Sequence, residues 1–133
     1  MARNLAQNYR KAQFNTASPG QRVVMMYEGL SRELKKARHS MIKIKEDIEM
    51  IEKTHNSISL SQQIILELKL ALDKERGGEI AENLENLYDF WTTQLSEANH
   101  EQNSQKLGPV IEMVDELCDT WKQATKKARQ LGA

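Results

Sequence analysis

The sequence predicts an all-α fold, an antiparallel up-down four-helix bundle led by a mobile N-terminal arm, and three observations predict it. First, helix breakers are sparse. The 133 residues hold two prolines and six glycines, while roughly half the residues are strong helix formers and no alternating β-branched run marks a strand. Second, apolar residues recur in steps of three and four from Val23 to Leu131, which gathers them on one stripe of each successive helix. Third, punctuation falls where helices should start or stop: Ser18-Pro19, Asp73 to Gly78, and Gly108-Pro109. A chain of this length buries one core, so residues 1–17 are read as the arm and residues 18–133 as the bundle.

The arm has no acidic residue and no apolar period, so no stable fold of its own is expected. Leu5, Tyr9 and Phe14 are its large apolar residues, set among Arg3, Asn4, Gln7, Asn8, Arg10, Lys11 and Asn15. Two readings stay open: a frayed terminus, or a removable lid whose apolar side chains cover a groove. The arm ends at Ser18, whose hydroxyl suits the cap of the first helix. Pro19 suits the first helical position, where its missing N–H would have had no intrahelical partner.

The first helix carries Val23, Tyr27, Leu30, Leu34, Ala37, Met41, Ile44, Ile48 and Ile51 on one stripe. That run is too long for one helix of a domain this size, so a tight turn is placed near Lys43 to Glu46, with the second helix running from about Asp47 to Leu72. Its expected core residues are Ile58, Leu60, Ile64, Ile65, Leu68, Ala71 and Leu72. Leu66 and Leu70 project to the opposite side, one turn apart, and an apolar pair there beside a mobile arm reads as a docking groove. Asp73 to Gly78 breaks the chain, Gly77 being suited to a left-handed helix end. The third helix, about Gly78 to Asn99, carries Ile80, Leu84, Leu87, Trp91, Leu95 and Ala98, with Tyr88 and Phe90 on its flanks. After a polar loop from His100 to Lys106, Gly108-Pro109 opens the fourth. Its stripe is Val110, Val114, Leu117, Trp121, Ala124, Ala128 and Leu131, and Lys122, Lys126, Lys127 and Arg129 suit its C-terminal dipole.

The formal net charge is zero, but the zero is uneven: residues 1–45 hold ten Lys/Arg against two acids, residues 46–119 five against seventeen, and residues 120–133 four against none. Basic ends around an acidic middle neutralise one another within one fold, so neither nucleic-acid binding nor membrane insertion is expected. The single cysteine, Cys118, cannot form an internal disulfide. No apolar run is long enough for a signal peptide or a membrane span, and the expected compartment is therefore the cytoplasm.

The same residues carry one catalytic hint. Glu52 with His55 and Glu97 with His100 repeat the Glu-x-x-His spacing of carboxylate-bridged di-iron bundles. All four point away from the apolar stripes, and the first and fourth helices supply no inward glutamate. No phosphate-cradling glycine loop, paired-cysteine spacing or triad grouping occurs. The expected chemistry is binding, with no cofactor and no metal.

Taken together, Thr16-Ala17-Ser18-Pro19-Gly20, Met25-Met26-Tyr27-Glu28-Gly29-Leu30, the run Glu75 to Leu84 with Leu87-Tyr88-Asp89, and Asp119-Thr120-Trp121 resemble the flagellar secretion chaperone family FliS. The resemblance implies a four-helix bundle, not an enzyme, that binds the disordered C-terminal segment of flagellin in the cytoplasm. There it prevents premature polymerisation and aids delivery to the flagellar type III export apparatus, with the export gate or a co-chaperone as further candidate partners. The family arm usually carries two tyrosines around an Asn-Pro pair. Here Asn8-Tyr9 matches and Phe14 is the other aromatic. Resemblance supports Tyr9 and the family-motif positions Thr16, Ser18 and Pro19. The helical wheel adds Leu66 and Leu70, with Met25 and Phe90 as further candidate flagellin contacts. Leu5 and Tyr9 are expected to occupy the groove in the free protein and to be displaced by flagellin. A helical adaptor for another amphipathic segment is the alternative.

Overall fold

The structure, a computed structural model, describes the backbone of residues 2–132 and the side chains of residues 5–131. Five α-helices follow in order: α1 Ala2–Thr16, α2 Pro19–Ile42, α3 Met50–Leu70, α4 Lys74–Glu101 and, after a 3-10 turn at Ser104–Lys106, α5 Leu107–Gly132. Helices α2 to α5 form the bundle. Polar pairs fix their directions: Ser40 Oγ lies 2.7 Å from Thr54 Oγ1 across α2 and α3, Gln62 bonds Ser96 across α3 and α4, and Ser31 donates to Asp115 across α2 and α5. Since Lys122 reaches back to Glu28 on α2, α5 runs antiparallel to it.

The helix boundaries follow local chemistry. Ser18 is extended (φ −66°, ψ 162°), its Oγ accepts from Gln21 N at 3.2 Å, and its own N–H donates to Gln21 Oε1 at 3.0 Å. Two amides without intrahelical partners are thus satisfied reciprocally. The turn after α2 spans residues 43–49, so α3 starts three residues later than Asp47, whose carboxylate instead accepts from the Glu49 amide inside the turn. Asp73, accepting from Arg76 N, opens α4 at Lys74 rather than at Gly78. Gly78 itself is a kink within that helix, at φ 50° and ψ −124°.

The arm differs from expectation. Residues 2–16 are helical rather than without fold, because a stretch free of Gly and Pro, with Ala, Arg, Gln, Leu and Lys at eight or more of its positions, keeps helical propensity even without an apolar stripe. This helix attaches to the bundle through its last turn. Arg22 on α2 donates to the carbonyls of Phe14 and Asn15, each at 3.1 Å, and its guanidinium sits 5.6 Å from the Phe14 ring centroid.

The core contains Tyr27, Leu30, Leu34, Ala37 and Met41 of α2, Ile58, Ile65 and Leu68 of α3, Tyr88, Trp91, Leu95 and Ala98 of α4, and Leu107, Val110, Ile111, Val114 and Cys118 around α5. At its centre the Tyr27 and Tyr88 hydroxyls are 2.6 Å apart, and Trp91 packs edge-on to Tyr27. Several stripe positions lie outside this core. Ile48 and Ile51 are exposed because the chain has turned before reaching them, and Leu60 and Ala71 face solvent at the edges of α3. Ile80, Ala124, Ala128 and Leu131 are also exposed. They lie toward the end of the bundle where α2 starts and α5 finishes, and no further helix among the described residues covers them.

Candidate functional site

That end carries two grooves that share Trp121. The first, about 380 Å³, is walled by Val23 of α2, by Leu68 and Leu72 at the end of α3, by Ile80 and Leu84 of α4, and by Trp121 of α5. Gly77 also lines it, and a Cβ there would lie 2.8 Å from the Ala81 Cβ, so glycine allows the tight kink that leaves Ile80 on the rim. The second groove, about 540 Å³, runs along α5 between Trp121, Ala124 and Ala128 and the start of α2 at Ser18 and Gly20, with Thr125 and Arg129 also lining it. Ile80 is 69% exposed and Leu131 80%. An apolar strip thus runs from the α3–α4 corner along the last turns of α5. Apolar surface contiguous over such a length marks an interaction site.

The residues singled out from sequence are not all brought together. Leu5 and Tyr9 are 70% and 66% exposed, so the expectation that they fill a groove in the free protein is corrected. The arm is held at its last turn, where Arg22 bonds the Phe14 and Asn15 carbonyls and stacks on the Phe14 ring, and Leu5 and Tyr9 lie further back along α1. Phe14 is the arm aromatic that meets the bundle. Together with Met25, Met26 and Ile64 it lines a groove between α1, α2 and α3. Met25 also forms the floor of a larger groove between α1 and α5. Leu66 and Leu70 are exposed on α3 beside the 2.7 Å Lys69–Asp89 ion pair. Phe90 is half exposed on α4, and neither it nor the leucine pair lines these grooves. Thr16 and Ser18 act locally, Thr16 through hydroxyl bonds to the Ala12 and Gln13 carbonyls, and Pro19 fills the first position of α2.

Sequence reasoning placed Ile80, Ala124 and Ala128 in the core, and they line or rim the grooves instead. One signal was available: Ala124 and Ala128 are small residues flanked by Lys122, Lys126, Lys127 and Arg129, a face that buries little apolar area. One member of each Glu-x-x-His pair is engaged elsewhere. His55 Nδ1 is 3.2 Å from Asn99 Nδ2, and Lys106 bridges Glu97 and Glu101 at 3.3 and 2.9 Å. Among the described residues no three His, Cys, Asp or Glu side chains converge as a metal site, and no helix is long and apolar enough to cross a membrane.

Comparison with known proteins gives the family. The family model described as flagellar protein FliS matches residues 1–128. The flagellar secretion chaperone FliS of Vibrio cholerae is 32% identical, the match covering 98% of this chain and 96% of that protein. The proteins of the same name from Salmonella typhimurium and Campylobacter jejuni are 33% and 34% identical, over 85% and 92% of this chain and 81% and 93% of theirs. With a bundle whose helix starts carry the motifs Thr16 to Gly20 and Glu75 to Leu84, and with matches that span nearly its whole length, the chain belongs to the FliS family of flagellar secretion chaperones, a family of chaperones rather than enzymes.

Proposed function

We propose that this chain binds the disordered C-terminal segment of flagellin in the cytosol, keeps it from polymerising before export and aids its delivery to the flagellar type III export apparatus. The observation that carries this reading is the uncovered apolar strip formed by Leu72, Ile80, Leu84, Trp121, Ala124 and Ala128. A disordered amphipathic segment folds by laying its apolar face into such a groove, at an ordering cost of a few kcal/mol. Leu66 and Leu70 are exposed on the opposite side of α3 and offer further apolar contacts to a segment that wraps the bundle. Phe90 offers a further contact on the outer face of α4.

The test is calorimetric titration with the host's flagellin, full-length and lacking its C-terminal segment. The reading expects tight binding of the full-length form alone, with a large negative heat-capacity change. Ile80→Asp with Ala128→Asp, both on exposed positions, should weaken binding by about tenfold or more while helicity stays intact. Leu66→Asp with Leu70→Asp should weaken it less. Equal binding of both flagellins would overturn the reading, and no binding to either would favour an adaptor for another amphipathic segment.

A further inference from the structure

The groove between α1 and α5 has a different character from the apolar strip. Its volume is about 910 Å³. Its floor is Ala17, Val24 and Met25, and one wall is the last turns of α5, with Lys122, Lys126 and Arg129 facing it. The other wall, from α1, offers Gln13 and Thr16, which are neutral and polar. No acidic residue lines the groove. Residues 1–27 contain no Asp or Glu, and neither do residues 120–133. The nearest acid on α2, Glu28, reaches Lys122 at 3.7 Å, whereas Lys126 and Arg129 have no ion-pair partner among the described residues.

The charge is concentrated there although the chain as a whole is neutral. Helix dipole alone does not account for the arrangement. A cation stabilises the end of a helix from any side, yet Lys122, Lys126 and Arg129, at i, i+4 and i+7, line the same trough over an apolar floor. An apolar floor excludes a fully hydrated anion, and a cationic rim disfavours a basic segment. The shape between two helices suits a third helix. We propose that this groove binds an acidic amphipathic helix of a partner protein, its apolar stripe on Val24 and Met25 and its carboxylates on Lys126 and Arg129, at a site that adjoins the apolar strip along Thr125 and Arg129. The proposal does not depend on flagellin being the cargo of that strip.

The probes are two labelled synthetic peptides of about 18 residues, five helical turns, with the same leucine stripe. One has glutamates flanking the stripe and the other has lysines. Each is titrated into the full chain by fluorescence anisotropy, with the methionine methyl signals followed by NMR. The glutamate peptide should bind at least about tenfold more tightly than the lysine peptide, lose affinity as salt rises, and shift the Met25 methyl signal. Lys126→Glu with Arg129→Glu should reverse the preference, and Lys126→Gln with Arg129→Gln should abolish it. Both positions are exposed on α5, and circular dichroism checks that the helix is kept. Equal binding of the two peptides, an unchanged preference in either variant, or glutamate-peptide binding that leaves Met25 unshifted would each overturn the proposal. Lys126 lines this groove alone whereas Arg129 borders both, so flagellin titration of Lys126→Glu by itself separates the two readings: that variant should lose the glutamate-peptide preference and keep flagellin binding.

Discussion

The hydroxyls of Tyr27 and Tyr88 meet at the centre of the aromatic cluster, and their energetics are set by burial. Both residues are almost fully buried and 2.6 Å apart. Tyr88→Phe leaves the Tyr27 hydroxyl without that partner and should cost about 1–3 kcal/mol, with the double change to phenylalanine costing less than the two single changes added. Urea denaturation of the four proteins checks this. Burial, the main cause, holds both phenols above the ordinary tyrosine value of 10.0. The folded state therefore keeps protons that the unfolded chain gives up. This contribution is fully present below pH 10 and is lost as pH rises beyond it. Cys118, its thiol also pushed up by burial, has the same sign. Stability measured between pH 8 and 11 should fall, and the double phenylalanine variant should fall less steeply. The Ser18 cap was legible in the sequence because cap, proline and Gln21 are local. The tyrosine pair was not, since its members are 61 residues apart.

At the scale of elements, α4 and α1 carry the informative departures. Gly78 adopts φ 50° and ψ −124°, yet a Cβ there would meet nothing within 4 Å. Gly78→Ala is therefore a test of backbone strain without a clash, and should cost about 1–3 kcal/mol in the urea midpoint. The sequence showed a break at Gly77-Gly78 and took it for a helix end. Asp73 overrides that reading, because its carboxylate caps the turn that precedes the kink. For α1, the attachment is Arg22. Arg22→Ala removes two hydrogen bonds to the last-turn carbonyls and the stacking on Phe14. Amide exchange across residues 5–16 should accelerate by about tenfold or more, with the core of α2 unchanged. Unchanged exchange would mean that the arm is held by other contacts. The arm's helicity escaped the sequence reading because an amphipathic stripe was required of it. Propensity suffices for a short polar helix whose last turn is pinned.

For the whole molecule, sequence determined the class and the order of helices. Periods of three and four, Ser18-Pro19 and Gly108-Pro109 are local signals, and local signals set where helices run. It also determined the family, through motifs that fall at helix starts and on the Met25 to Leu30 stretch. Tertiary structure alone decided which part of each stripe is covered. A stripe reports that a helix has an apolar face, but whether that face meets a neighbour depends on how far the adjacent helices extend. Ile80, Ala124, Ala128 and Leu131 have the same spacing as Leu34 or Leu95 and lie where no helix reaches them. The same holds for charge. The chain sums to zero, and the sequence reading expected its basic ends to be neutralised by the acidic middle. Packing set Lys126 and Arg129 along a groove with no acid in it instead, because helix α5 continues past the acidic faces that could have met them.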